Sequence, residues 1–224
     1  MPRSIARKGF LAGVIIVILS QIILWSLYSI EIFCPIALIT AIITECFAIG
    51  SMILLVHKYD NLKIEVSKDP LTRIFNRQHF MILLEKEISR ARRNSSKLAM
   101  VLFDIDDFKL INDNYGHYAG DQTLIALTQI ISRMIRPYDS FGRLGGEEFA
   151  IILPEIQEQE AIDLCERIRE KIQESRLNRK IAITLSIGVA MLEDLDDHHI
   201  LYQKSDDAMY RAKDNGKNQV ILYQ

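Results

Sequence analysis

Two adjacent glycines, Gly145 and Gly146, stand between two short apolar runs, Tyr138–Leu144 and Phe149–Leu153, and constrain the fold more than any other stretch of the chain. A Gly-Gly pair between strand-like segments reads as the two-residue turn of a β-hairpin, because the primed turn types need positive φ. Glu147 and Glu148 follow at once, which puts two carboxylates at the tip of a rigid hairpin beside backbone without side chains. Such a tip suits a bulky phosphate-bearing ligand that approaches the backbone, with carboxylates ready to hold a metal. The bland alternative is an ordinary hairpin with a solvated acidic end.

The flanking sequence supplies helices and further strands. Phe80–Arg93 carries Phe80, Leu83, Leu84, Ile88 and Ala91 at helical spacing, and Thr123–Ile135 carries Leu124, Leu127, Ile130 and Ile131. Leu98–Phe103 reads as a buried strand, Gln159–Ser175 as a helix, Ile181–Met191 as a strand, Asp196–Asp214 as largely helix and Gln219–Tyr223 as a last strand. Alternating elements with one antiparallel hairpin predict an α+β fold of the split β-α-β kind, a mixed sheet with surrounding helices.

The first quarter of the chain has a different character. From Phe10 to Val56 the only formal charges are Glu31 and Glu45. The runs 10–28 and 35–56 each approach the ~20 residues that a helix needs to cross a bilayer. A signal peptide is the alternative for the first, but its apolar stretch is long for an h-region and no small-residue cleavage site follows. Arg3, Arg7 and Lys8 precede the first run, and His57, Lys58 and Lys63 follow the second. Positive flanks at both outer ends predict a transmembrane hairpin with both termini in the cytoplasm. Glu45 is costly inside a span, and reads either as an interhelical contact or signal-sensitive switch, or as a carboxyl that a shallow helix leaves protonated or hydrated. The expected order is a basic terminus at 1–9, spans at 10–28 and 35–56, a short helical stalk at 57–68, and a globular domain at 69–224.

Charge and cysteine usage narrow the function classes. Residues 69–224 carry 21 Lys/Arg against 25 Asp/Glu, and this mildly acidic balance argues against a nucleic-acid module. Cys34, Cys46 and Cys165 form neither a disulfide framework nor a Cys-x-x-Cys metal spacing, which points to a reducing compartment for the globular part.

The strand ending at Phe103 runs into Asp104-Ile-Asp-Asp-Phe-Lys109, then Asn112-Asp-Asn-Tyr-Gly-His117 and Gly120-Asp121. A carboxylate at the end of a buried strand is well fixed to hold a metal. The loop after it can aim backbone N–H groups at phosphates, with Lys109 adding a point charge. Oxygen donors without a His/Cys cluster select Mg²⁺ or Mn²⁺ over zinc. A Ca²⁺ loop is excluded, since the sixth-position glycine and the acidic twelfth ligand are missing. Taken singly, Asp106 and Asp107 read as a solvated helix start, Asn112–Gly116 as a turn, and Asp121 as a helix cap.

Together these segments resemble the GGDEF family of diguanylate cyclases. The resemblance rests on Asp69-Pro-Leu-Thr-Arg-Ile-Phe-Asn-Arg77, Asp104-Ile-Asp-Asp-Phe-Lys-Leu-Ile-Asn-Asp113, Gly116-His117, Gly120-Asp121, Arg143-Leu-Gly-Gly-Glu-Glu-Phe149, Ser186-Ile-Gly-Val189 and Asp206-Asp-Ala-Met-Tyr-Arg-Ala-Lys-Asp-Asn-Gly-Lys-Asn218, in the family's order. It implies a nucleotide-cyclase or palm-like fold in which a homodimer condenses two GTP into cyclic di-GMP and pyrophosphate. It implies two Mg²⁺ (or Mn²⁺) per half-site, held by Asp104, the Ile105 carbonyl, Glu147 and Glu148. Glu147 would accept the ribose 3′-OH proton, and Lys109 would stabilise the phosphates in the transition state. Asn112 and Asp121 would recognise guanine with His117 nearby, and Lys213 and Lys217 would reach the triphosphate. Phe108, Gly145 and Gly146 complete the implied substrate contacts. The resemblance and the two apolar runs together predict an enzyme of bacterial second-messenger signalling at the inner membrane, with its catalytic domain in the cytoplasm. Ser205 replaces the family's usual alanine, and Lys217 stands where arginine is common.

Arg136-Pro-Tyr-Asp139 precedes the hairpin at the spacing of the family's Arg-x-x-Asp product-inhibition site, and Arg167 falls where a second arginine often contributes. A helix C-terminus complemented by Arg136 and a turn begun by Asp139 is the alternative. A degenerate domain that binds nucleotide without turnover is the competing class, but Asp104, Lys109, Asn112, Asp121, Glu147 and Glu148 are all retained.

Overall fold

The computed structural model describes residues 19–20, 22–23, 26, 42–53, 67–177 and 181–224. The chain divides into two compact units, Met1–Val66 and Ser67–Gln224. In the first, residues 42–53 are helical and expose Ile42, Ile43, Phe47, Ile49 and Ile53. Among the described residues no helix is long and apolar enough to cross a membrane. The expected basic terminus at 1–9 lies outside the described residues, as do most of the run at 10–28, residues 35–41 and 54–56 of the second run, and most of the stalk at 57–68.

The second unit runs β1 (Phe75–Asn76), α1 (Arg77–Asn94), β2 (Leu98–Ile105), α2 (Phe108–Tyr115), α3 (His117–Ser132), β3 (Ser140–Gly145), β4 (Glu148–Pro154), α4 (Glu158–Glu174), β5 (Arg176–Leu177), β6 (Ile181–Ala182), β7 (Leu185–Met191), α5 (His198–Asp214) and β8 (Gln219–Leu222). A six-stranded sheet has the order β1-β3-β4-β2-β7-β8. β2 is antiparallel to both β4 and β7, whereas β1–β3 and β7–β8 pair in parallel. The expected mixed sheet is present, and the strand that carries Asp104 is at its centre.

β2 is buried along its whole length, and its period of two divides the core. Ala99, Val101, Phe103 and Ile105 pack with Leu124, Leu127 and Ile131 of α3 and with Leu164, Ile168 and Ile172 of α4. Met100 and Leu102 face the other way, toward Phe80, Leu84 and Ile88 of α1 and Leu201 and Met209 of α5. Each fully buried large apolar side chain contributes roughly 1.5–3 kcal/mol. Helices thus clamp both faces of β2 and fix its end rigidly. α5 lies so close to β7 that a Cβ at Gly188 would stand 2.2 Å from the Ser205 carbonyl oxygen. Ser205 itself is buried, with its hydroxyl 3.0 Å from the Leu201 carbonyl and 3.2 Å from that of Met100. Its departure from alanine is therefore accommodated by the helix and the adjacent strand.

Three local expectations need correction. The ladder slips between Arg143 and Gly145, Gly145 pairs with Glu148, and the turn falls on Gly146-Glu147. Neither Gly145 nor Gly146 is in the left-handed region, so the hairpin is closed by an irregularity rather than by a primed Gly-Gly turn. The stretch Asn112–Gly116 is not a turn, because α2 continues through Tyr115. Asp121 is inside α3, which begins at His117, and so does not cap a helix.

Candidate active site

The strand end and the hairpin tip meet by register. Asp104 of β2 stands opposite Glu148 of β4, and the Ile105 N–H donates to the Glu147 carbonyl at 3.4 Å. Asp104 is 6% exposed, and Lys213 Nζ from the end of α5 lies 3.0 Å from its Oδ2. Burial is the main cause that raises the Asp104 carboxyl to about 6; Lys213 pulls it down, and the charges of Glu147 and Glu148 add to the rise. Three acidic groups therefore share one field. Among the described residues no three acidic, imidazole or thiolate side chains form a ready-made metal cage.

Asp106, which the sequence suggests as a solvated helix start, is instead a buried tie at the edge of the site. It is 7% exposed. Its Oδ1 accepts from Ser186 Oγ at 2.6 Å, and its Oδ2 accepts from Thr184 Oγ1 at 2.6 Å and from the Asn218 N–H at 3.1 Å. The carboxylate thus ties the end of β2 to β7 and to the loop that carries Lys217. Lys217 and Asn218 both take left-handed φ, 64° and 47°, and a backbone of that kind persists only where its surroundings hold it. Lys217 Nζ lies 2.6 Å from Asp107 Oδ1, and that carboxylate raises the lysine above its ordinary value. The sequence signal for Asp106 was available: it occupies an inward position one strand period past Asp104.

Arg143 is the second position that the sequence leaves unassigned. Its Nε and Nη2 donate to the Gly146 carbonyl at 3.0 and 2.7 Å, and its Nη1 reaches Asp69 Oδ1 at 3.2 Å. The same Asp69 oxygen accepts from the Thr72 N–H and hydroxyl at 2.8 and 2.7 Å. Burial opposes ionisation of Asp69, but the hydrogen bonds from Thr72 and Arg143 outweigh it and hold the carboxyl below its ordinary value. The segment before β1 is thereby hooked to the hairpin turn.

The remaining candidates sit on α2 and α3. Phe108 opens α2 with its ring in the core, so it offers a ligand its backbone N–H. Lys109 is exposed in the first turn, where helix N–H groups and the dipole favour an anion. Asn112 is half-buried in the last turn of α2, and exposed His117 and Asp121 stand in the first turns of α3.

Arg136 and Arg167 line one cavity of about 630 Å³ with Met134, Ile156, Leu164, Glu160, Asp163, Glu166 and Glu170. Asp139 does not line it. Its Oδ2 accepts from the Arg136 N–H at 2.7 Å and its own N–H donates to the Arg136 carbonyl at 3.1 Å, so it closes a turn that Arg136 begins rather than beginning one; its Oδ1 is buried without a hydrogen-bond partner among the described residues. Burial is the main cause that raises this carboxyl.

The geometry is that of an α+β domain with an acidic, lysine-bordered sheet end. The family description "Diguanylate cyclase, GGDEF domain" matches residues 66–219, and the chain belongs to that family. It is 38% identical over 163 residues to diguanylate cyclase DosC of Escherichia coli K12, covering 71% of this chain and 35% of DosC. A diguanylate cyclase of Vibrio cholerae O1 is 37% identical over 158 residues, 69% of this chain and 49% of that protein. The chain thus spans less than half the length of these curated relatives. Among solved structures, the coiled coil and GGDEF domain of DgcB from Caulobacter crescentus in complex with c-di-GMP has a TM-score of 0.73 at 26% identity, over 80% of this chain and 97% of that one. The active GGEEF domain of a Vibrio cholerae diguanylate cyclase has a TM-score of 0.64 at 36% identity, over 66% and 97%.

Proposed function

We propose that the chain is a membrane-anchored diguanylate cyclase that condenses two GTP into cyclic di-GMP and two pyrophosphates as a homodimer. The observation that carries this reading is the register of Asp104 against Glu148, with Glu147 at the turn and Lys213 on the Asp104 carboxylate. Each 3′-hydroxyl attacks the α-phosphorus of the other nucleotide; a P–O bond forms, the bond to the β-phosphate bridge breaks, and pyrophosphate leaves. Glu147 accepts the hydroxyl proton, and Lys109, Lys213 and Lys217 face the triphosphate charge. Asp104, the Ile105 carbonyl, Glu147 and Glu148 would hold two Mg²⁺ or Mn²⁺, which neutralise phosphate charge and make the 3′-hydroxyl more acidic. Asn112 and Asp121, with His117 nearby, bind guanine. The hairpin tip is open beside Glu147, since a Cβ at Gly146 would meet nothing within 4 Å. Positioning supplies most of the rate, because two nucleotides must be aligned face to face.

The test is purified protein with GTP and Mg²⁺, the product resolved by chromatography. Wild type yields cyclic di-GMP and Glu147→Ala lowers the rate at least about a hundredfold. A demonstrably dimeric preparation that makes no product overturns the reading.

Feedback by product belongs to the same proposal. Arg136 and Arg167 on one cavity, with an unpartnered Asp139 oxygen nearby, offer guanidinium donors to phosphate and a carboxylate acceptor to a base edge. Arg136→Ala is expected to raise the cyclic di-GMP concentration needed for half-inhibition by about tenfold or more; unchanged inhibition would show that the brake lies elsewhere. Anchoring at the inner membrane, with both termini cytoplasmic, is supported by the basic flanks and by the helix at 42–53, which exposes Ile42, Ile43, Phe47, Ile49 and Ile53.

A further inference from the structure

We propose that Gly120 is a specificity-positioning residue, whose missing side chain lodges the Asn112 amide against α3 and so sets the Asn112–Asp121 pair for guanine. The inference rests on the cyclase reading for the identity of the base and goes beyond it in assigning what aims the amide.

The corner between α2 and α3 makes this arrangement. Gly116 ends α2 with φ 82° and ψ 158°, a conformation that side-chain-bearing residues rarely adopt. Its N–H donates to the Asn112 carbonyl at 2.8 Å, and its own carbonyl accepts from the Gly120 N–H at 3.2 Å. Asn112 and Gly120 are therefore each one helical turn from the corner, on opposite sides of it. Across it the Asn112 side chain occupies the space that a side chain at position 120 would fill. A Cβ on Gly120 would stand 2.0 Å from Asn112 Oδ1, 3.1 Å from its Cγ and 3.2 Å from Phe108 Cζ. The amide thus lies in a notch with the Phe108 ring as one wall and the bare α3 backbone as the other. It makes no hydrogen bond among the described residues that would aim it instead. Asp121, the next residue, presents an exposed carboxylate.

The chemistry of the pair is specific. A carboxylate accepts from the N1–H and exocyclic N2–H of guanine, and an amide both donates and accepts at the same base. Adenine offers no such donor pair, and hypoxanthine lacks the exocyclic amine. Discrimination of this kind demands fixed geometry, because a polar group left unpaired in the site is what rejects the wrong base. The far end of a flexible side chain is the atom that Gly120 accommodates. Gly120→Ala would therefore re-aim the amide while sparing the backbone.

The experiment is a double-mutant cycle on the full chain: wild type, Gly120→Ala, Asn112→Ala and the double variant. KM and kcat are measured for GTP and ITP, GTP affinity by equilibrium binding, and the thermal midpoint alongside. Gly120→Ala is expected to raise the GTP KM about tenfold with kcat within about twofold, and to narrow the preference for GTP over ITP. In the Asn112→Ala background the same change adds nothing beyond about twofold, since the two nearest atoms, both of the Asn112 amide, are gone. Equal losses in both backgrounds, or a loss that merely follows a lowered thermal midpoint, overturn the inference and leave the cyclase reading intact. An Asn112→Ala variant with unchanged GTP affinity overturns both the notch and its guanine assignment. A chain that binds GTP without turnover sinks the cyclase alone, while the binding arm of the cycle still decides the notch.

Discussion

The proposed cyclase uses Asp104 as a carboxylate, and its burial sets that charge against stability. Its folded value, raised to about 6 mainly by burial, lies above that of an unfolded aspartate. The unfolded chain therefore loses this proton first. Stability contributed by the group declines as pH rises from about 4 through about 6 and stays lower above it. Asp104→Asn, which mimics the protonated state, is expected to stabilise the metal-free protein at pH 7.5 by roughly 1–2 kcal/mol after allowance for partial solvent screening. The gain should vanish below about pH 4, where the native aspartate is itself protonated. Thermal melts at the two pH values, in chelator, check it; a variant less stable at pH 7.5 would mean that the Lys213 contact outweighs burial. The same substitution should abolish turnover, the usual opposition between a strained functional group and stability.

At the scale of elements, the hairpin depends on more than its own ladder. Arg143 grips the Gly146 carbonyl with two N–H groups and Asp69 with a third, and both ion-pair partners are largely shielded from solvent. Arg143→Ala should cost about 1–3 kcal/mol, lowering the thermal midpoint by several degrees, since it removes charge-assisted bonds at a partly buried site. Turnover should fall further than stability predicts, because the turn that carries Glu147 loses its support. Arg143→Lys keeps the charge without the planar fork, so it should recover the midpoint more than the rate. Equal recovery of both would assign Arg143 a purely structural role. This clamp also marks where the sequence was legible. The mixed sheet, the buried β2 and the amphipathic stripe of α1 follow from local periodicity, which depends on a few neighbouring residues. The Arg143–Asp69 link spans 74 positions and the Asp106–Ser186 bond 80, and nothing local announces them. The turn departs from the Gly-Gly pattern for a related reason: a ladder slip between Arg143 and Gly145 is set by pairing with β4, not by the glycines themselves.

For the whole molecule, the decisive fact is that each domain carries one set of Asp104, Glu147 and Glu148, while the proposed product contains two nucleotides joined symmetrically. One site supplies one attacking hydroxyl, so the second has to come from another copy. Ser67–Gln224 forms a compact unit with its own two-sided core, and should fold when produced without residues 1–66. Detached, it meets its twin only by diffusion, whereas copies held in one membrane meet at a much higher effective concentration. Specific activity of the 67–224 fragment is therefore expected to rise nearly in proportion to protein concentration at low micromolar levels and to flatten as dimers saturate. The full chain in lipid vesicles should show specific activity that depends on its surface density rather than on its bulk concentration. Enzyme titrations of the two preparations, each at saturating GTP and Mg²⁺, separate the cases. A fragment whose specific activity is constant across about a hundredfold dilution would show that one copy completes the reaction, or that the domain dimerises tightly without the first unit.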